Sequence, residues 1–325
     1  MFNLLKTRKK FWIIDLGAAL TKIVVGIIDD SSLVQIQDFR IEKTPEQIWP
    51  EANSQKKANI RGFLRPFLRG YRHKDEVILL INDKEMMVST FTFPMMTIPE
   101  VEEAIFWQLQ LLTSANLEHW RIDFVARERT QWLEYLGVDD KNLDVLGVAV
   151  ERTLLTWYTR IFRKNGCRLK AIVPQLYGFD TLINQDGDQP TLIIDMGKAC
   201  TRFFYYQGDS LSENHRIDLD ADWDGETYLQ QISKAVEQIF ISPLGCEKAG
   251  ENGKIYLMGG ESLHPGVMAY LTKAMNKEIW PTYYLLDEKE ALIFPRQMSK
   301  AELCLITPCV CGLIKWAQIY ACGGS

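Results

Sequence analysis

The sequence predicts an α/β protein made of two similar lobes around a shared cleft. Three observations carry this. "WIIDLGAALTKIVVGIID" lies over "LIIDMGKACTRFFYYQGD" when the chain is slid by 180 positions, so that Ile13, Ile14, Asp15, Gly17, Ala19, Thr21 and Asp29 fall on Ile193, Ile194, Asp195, Gly197, Ala199, Thr201 and Asp209. Lys22 falls on Arg202. Short apolar runs of strand length alternate with helical patterns along most of the chain. A third punctuated strand, "KIYLMGGESL", ends on Gly259-Gly260 before a helix start.

Each element has a local reason. Residues 1–10, "MFNLLKTRKK", form a basic leader, too short and too charged for a signal peptide. "FWII" and "TLII" are buried-strand runs, and Gly17 and Gly197 turn the chain tightly into second strands. A bare glycine at a hairpin tip leaves backbone N–H groups that can hold phosphate oxygens, and the preceding aspartate can hold a hydrated divalent cation. "EVILLIN" and "MMVSTFTF" read as paired strands. "PEVEEAIFWQLQLL" reads as a helix, with Pro99 at its start, acids in its first turn and apolar residues at helical spacing. "LDVLGVAV" is a buried strand, "ERTLLTWYTRIFRKNG" a helix stopped by Gly166, and "RLKAIVP" another strand. After the second hairpin, "LDADWDGETYLQQISKAVEQIFISP" supplies one helix and "LGCEKAGENGK" a loop. Glu261 and Ser262 suit the first turn of the helix after Gly259-Gly260.

The bulk numbers exclude several classes. The chain has 325 residues, 47% hydrophobic and 24% charged, with net charge -5 and no basic domain, so nucleic acid is not an expected partner. The apolar segment "CLITPCVCGLIKWAQIYAC" contains Pro308, Lys315 and Gln318, which argues against a membrane span. Seven cysteines read as reduced thiols, and Cys304, Cys309 and Cys311 have no zinc-ligand spacing. There is no HExxH, nucleophile elbow or Walker A loop.

Two Asp-x-Gly hairpins followed by strand-Gly-Gly, in that order, resemble the two phosphate loops and the adenosine loop of the actin-like ATPase superfamily. Within it the chain resembles the PilM family of type IV pilus assembly, related to the division protein FtsA and to the cytoplasmic domain of the type II secretion protein GspL. The opening "MFNLLKTRKKFWIIDLGAALTKIVV", the segment "FTFPMMTIPEVEEAIFWQLQLLTSANLEHWRIDF", the stretch from Leu143 to Leu182 and the closing "ITPCVCGLIKWA" extend the likeness over almost the whole chain. It implies duplicated ribonuclease H-like lobes. The first lobe would span 11–180, with a small inserted subdomain at about 77–126. The second would span 181–325, with its own small subdomain reduced. GspL continues into a membrane helix and this sequence ends at "ACGGS", which favours a PilM-like separate subunit or a PilM-like component of a divergent secretion system.

The resemblance also implies a site. Asp15, Gly17, Thr21, Lys22, Asp195, Gly197, Thr201, Gly259, Gly260 and Glu261 would bind nucleotide, with Asp15 and Asp195 facing each other around magnesium. The motifs are degenerate: Ala18-Ala19-Leu20 stand where the family places serines, and Lys198 and Cys200 where small or hydroxylated residues are usual. ATP with magnesium is the candidate cofactor pair, no cofactor the alternative. No catalytic residue is assigned, and the expected activity is at most a weak ATPase. The expected function is a cytoplasmic scaffold at the inner face of the inner membrane, in a pilus or type II secretion platform. It would bind the cytoplasmic N-terminal segment of a PilN-like membrane protein and reach the membrane through that partner. The alternative is a Mg-ATP-binding switch of the same machinery. Phe93, Met95, Met96, Phe106 and Trp107 would line the partner groove, with micromolar affinity (roughly -8 kcal/mol).

Overall fold

The computed structural model describes residues 9–29, 33–45, 56–82, 86–133, 138–183, 189–218, 225–241, 253–287, 289, 292–295 and 298–321. Most of the basic leader, the residues before the helix at 225 and most of the loop after it lie outside these. The chain opens with β1 (Lys9–Leu16), β2 (Leu20–Ile28), β3 (Val34–Lys43), α1 (Lys56–Phe67) and β4 (Glu76–Ile81). A small unit follows: β5 (Met86–Pro94), α2 (Ile98–Leu112), β6 (Trp120–Leu133) and β7 (Val138–Glu151). Then come α3 (Arg152–Lys164) and β8 (Leu169–Pro174). The second half holds β9 (Thr191–Met196), β10 (Cys200–Gln207), β11 (Ser210–Asp218), α4 (Gly225–Ile241), β12 (Lys254–Met258), α5 (Val267–Met275), β13 (Ile279–Pro281), α6 (Tyr283–Asp287), β14 (Leu292–Ile293) and α7 (Lys300–Ala321).

The duplication extends to topology. One sheet runs β14-β3-β2-β1-β4-β8, the other β11-β10-β9-β12-β13. In each, an antiparallel three-strand meander continues through its first strand into two parallel strands. The central strands are buried on both faces: β4 and β9 have almost no exposed side chain. That requires continuous apolar runs rather than alternation, which "VILLI" and "TLII" supply.

"EVILLIN" and "MMVSTFTF" do not pair with each other. β4 pairs with β1 and β8, while β5 pairs with β7 in a separate sheet of order β5-β7-β6. The two runs have different periods, and the periods match their destinations. β4 is apolar throughout; β5 alternates, as the edge of a half-buried sheet does. The small sheet uses residues 86–151, so its central strand β7 lies beyond the boundary at 126 drawn from the sequence, and β4 lies outside the unit.

α2 packs on one face of this sheet through Val101, Ile105 and Leu109, against Phe93, Leu143, Val145 and Ala149. Its start is anchored by Thr97, whose N–H and hydroxyl both donate to Glu100 Oε2 at 2.7 and 2.8 Å. These bonds hold the Glu100 carboxyl below its usual range. α3 ends as Gly166 predicts: this residue takes φ +79, and Cys167 N–H donates to Phe162 O at 2.9 Å.

α7 joins the halves. It is long and apolar enough to cross a membrane, yet 61% of its apolar window is buried inside the fold. Leu303, Ile306, Cys309, Val310, Cys311 and Leu313 belong to the core that also holds β1, β2 and β4. Each such aliphatic side chain contributes about 2 kcal/mol when fully buried. The helix lies so close to the sheet that a Cβ at Gly26 would meet Leu313 Cδ2 at 2.2 Å.

Candidate functional site: two charged hairpins

The hairpins place their functional residues in the same register. Asp15 is the penultimate residue of β1 and pairs with Lys22 on β2; Asp195 is the penultimate residue of β9 and pairs with Arg202 on β10. Leu16 lies opposite Thr21, and Met196 opposite Thr201. Both turns close alike: Gly17 N–H donates to Leu20 O at 3.2 Å, and Gly197 N–H to Cys200 O at 3.0 Å. The glycine amides are therefore used inside the turns.

Cross-strand pairing brings a cation to each carboxylate. Lys22 Nζ donates to Asp15 Oδ2 at 2.8 Å, with side chains only 12% and 1% exposed. Arg202 Nη2 is bonded to Asp195 Oδ2, at 8% and 7%. Burial by itself lowers the Lys22 ammonium pKa. The Asp15 and Asp195 carboxylates and the bond to Asp15 outweigh it, so the net shift is upward. Lys22 thus lies within electrostatic reach of both aspartates.

A residue not anticipated from the sequence completes the first hairpin. Gln175, directly after β8 and 4% exposed, donates from Nε2 to Asp15 Oδ2 at 2.9 Å. Asp15 Oδ1 and Gln175 Oε1 are buried without a hydrogen-bond partner among the described residues. The hairpin hydroxyls are engaged internally. Thr21 Oγ1 pairs with Thr44 Oγ1 at 2.9 Å, and Thr201 Oγ1 with the Tyr228 hydroxyl of α4 at 2.6 Å. Burial pushes the Tyr228 phenol up to about 12. Ala18 and Lys198 are exposed.

The Gly-Gly element sits where the sequence placed it, after β12, which pairs with β9 through Met258 and Asp195. Gly259 has φ +90, and a Cβ there would meet Met196 O at 2.4 Å and Asp195 Oδ1 at 2.6 Å. This glycine is demanded by the neighbouring strand, whatever else approaches it. Gly260 faces open space. The expected helix start is a single 3-10 turn, Glu261–Leu263. Glu261 pairs with His264 at 3.1 Å, and Ser262 Oγ donates to Gly259 O at 2.7 Å.

Carboxylates that hold a hydrated magnesium beside a polyphosphate need oxygens open to the ion and its waters. Here Asp15 is 0% exposed and Asp195 5%, each already carries a cation, and both threonine hydroxyls have internal partners. The residues present do not fit a magnesium–nucleotide group in this arrangement.

The expected partner residues are divided. Phe93 is buried beneath α2, and Met96 and Phe106 are packed against the same core. Met95 and Trp107 are 44% and 58% exposed, with Ile98, Leu111 and Leu112 also on the outside. The opposite face of the small sheet borders a cavity of about 610 Å³ shared with both lobes. Its apolar lining includes Val125, Leu146, Leu176 and Leu211. Its rim is charged. Arg127 of β6 bridges Asp180 at 2.9 Å and Asp209 at 2.8 Å, and Lys315 of α7 reaches Asp180 at 2.5 Å. Sequence reasoning did not find this network, because its members come from four distant segments.

No family model matches the sequence, and no curated protein sequence matches it. Solved structures do. A PilM–PilN type IV pilus biogenesis complex is 16% identical, with TM-score 0.70 over 99% of this chain and 99% of that one. A Bacteroides thetaiotaomicron protein with an actin-like ATPase fold and unknown function is 12% identical, with TM-score 0.54 over 89% and 100%. The cytoplasmic domain of EpsL, an inner-membrane component of the Vibrio cholerae type II secretion system, is 12% identical, with TM-score 0.46 over 82% and 94%. The chain has the actin-like fold.

Proposed function

We propose that this protein is a cytoplasmic adaptor of a type IV pilus or type II secretion platform, which holds the cytoplasmic N-terminal segment of a PilN-like inner-membrane protein. The cavity between the small sheet and the lobes carries this reading. Its apolar floor suits the side chains of a short extended segment, and its paired charges suit the segment's polar backbone and ends. Burial, reinforced by the Asp180 carboxylate, pushes the Tyr177 and Tyr206 phenols of its wall above their ordinary range. Met95 and Trp107, exposed on the outer side of the same unit, serve as a secondary contact, with Met96 and Phe106 packed behind them against the core. The similar PilM structure is itself a complex with PilN, which supports a partner of this kind. The protein sits at the inner face of the inner membrane through that partner, and ATP with magnesium is not needed for recruitment.

The test is equilibrium binding of the full chain to N-terminal peptides of neighbouring membrane proteins. Val125 is 55% exposed, so Val125→Arg blocks the cavity at little cost to folding. Micromolar binding should weaken at least about tenfold in Val125→Arg, or about 1.4 kcal/mol, and less in Trp107→Asp. The reverse order would move the site to the outer face of α2. Binding only in the presence of Mg-ATP would replace the adaptor with a nucleotide switch.

A further inference from the structure

We propose that Lys22 and Arg202 are built-in counter-cations of the paired hairpins, filling the charge role that a divalent ion would otherwise fill for Asp15 and Asp195. This deepens the adaptor reading and rests on it. The argument is one of charge and access. Two buried carboxylates face two buried cations, each delivered by the residue directly across its own hairpin. The set is neutral as it stands. A divalent ion added there would leave two uncompensated positive charges in a poorly solvated place, a cost that the geometry does not offset.

The supporting contacts also hold the cations in place. Gln175 binds the same Asp15 oxygen as Lys22, at 2.9 Å, and the Lys22 carbonyl accepts from Cys309 Sγ of α7 at 3.7 Å. On the other hairpin, the Gly259 turn lies against Asp195 Oδ1 so closely that a Cβ would stand 2.6 Å away. That leaves the second carboxylate oxygen with little room for a hydrated ion.

The experiment is thermal denaturation of the full chain with and without millimolar Mg²⁺ or Mg-ATP, in wild type, Lys22→Met and the double variant Asp15→Asn/Lys22→Met. Wild-type Tm should be unchanged by either addition. Lys22→Met should lower Tm by roughly 5–10 °C, because it strands a buried carboxylate, and Mg²⁺ should restore part of the loss. The double variant, neutral at both positions, should be more stable than Lys22→Met and indifferent to Mg²⁺.

A wild-type Tm that rises with Mg²⁺ or Mg-ATP overturns the inference. So does a Lys22→Met protein that keeps the wild-type Tm, one that ignores Mg²⁺, or a double variant no more stable than the single. If Lys22→Met does not fold, a folded double variant supports the inference and an unfolded one overturns it. Peptide binding separates the two readings. Retained binding with a Mg-ATP response removes only this inference; lost binding with an indifferent Tm removes only the adaptor.

Discussion

The two hairpins share a backbone and differ in how they close. Both place aspartate one residue before the strand end, glycine at the turn and a cation opposite the aspartate. In the first hairpin the cation is a lysine, a point charge that also feels Asp195, and Asp15 takes a second donor, Gln175, from directly after β8. In the second it is an arginine in direct contact with its own aspartate, and the Gly259 turn presses on that carboxylate from the neighbouring strand. Strand pairing constrains the register in both halves. The chemistry around each carboxylate follows from whichever segment packs there.

Mutation should sharpen this contrast. The largest expected effect is Arg202→Met. Breaking a buried pair and leaving Asp195 charged should cost about 4 kcal/mol in denaturant unfolding. Lys22→Met should cost less, about 3 kcal/mol, because Gln175 remains bonded to Asp15. Equal losses would mean that Gln175 contributes nothing to the difference.

Gly259→Ala comes next, at about 2–3 kcal/mol, since it adds a clash with Met196 O to a positive φ. Among the turn glycines, Gly17→Ala should exceed Gly197→Ala. The nearest obstacle to the new Cβ is a carbonyl oxygen at 2.6 Å in the first turn and 3.1 Å in the second. The difference should be about 1 kcal/mol, and inverted order would show that the turns relax differently. Tyr228→Phe, which removes the partner of Thr201 Oγ1, should cost about 1 kcal/mol; in the first hairpin the matching hydroxyl, Thr21 Oγ1, takes its partner from Thr44 instead.

The smallest effect is in pH. The Lys22 ammonium is held above its ordinary value, so its stabilisation is fully present below the unfolded pKa of about 10.4 and is lost as pH rises through the higher folded value. Arg202 stays charged over that range. The Tm gap between wild type and Lys22→Met should therefore narrow above about pH 10, while the gap to Arg202→Met should not close through Arg202.

Much of the fold was legible because its signals are local. The "IID-x-G" runs, the glycine after α3, Pro99 and the 3.6-residue pattern of α2 each act within a few residues. The repeat of Asp15 on Asp195 was legible because both halves meet the same strand-pairing demand. The separation of β4 from β5 was present in their differing periods, but proximity in the chain suggested a pair. The partner residues were harder, since composition does not say which side of its element an aromatic takes: Phe93 of β5 lies inward and Trp107 of α2 outward.

The sequence by itself determined the strands, the turns and the duplicated register, because backbone sterics and hydrophobic period are properties of neighbouring residues. Only the tertiary structure decided which groups neutralise the hairpins and which residues shape the cavity. Gln175 reaches Asp15 across 160 positions, and Arg127 joins Asp180 and Asp209 across 53 and 82. Such contacts are selected by how sheets and helices pack after collapse, when a buried charge must take whatever partner the fold brings within hydrogen-bond range.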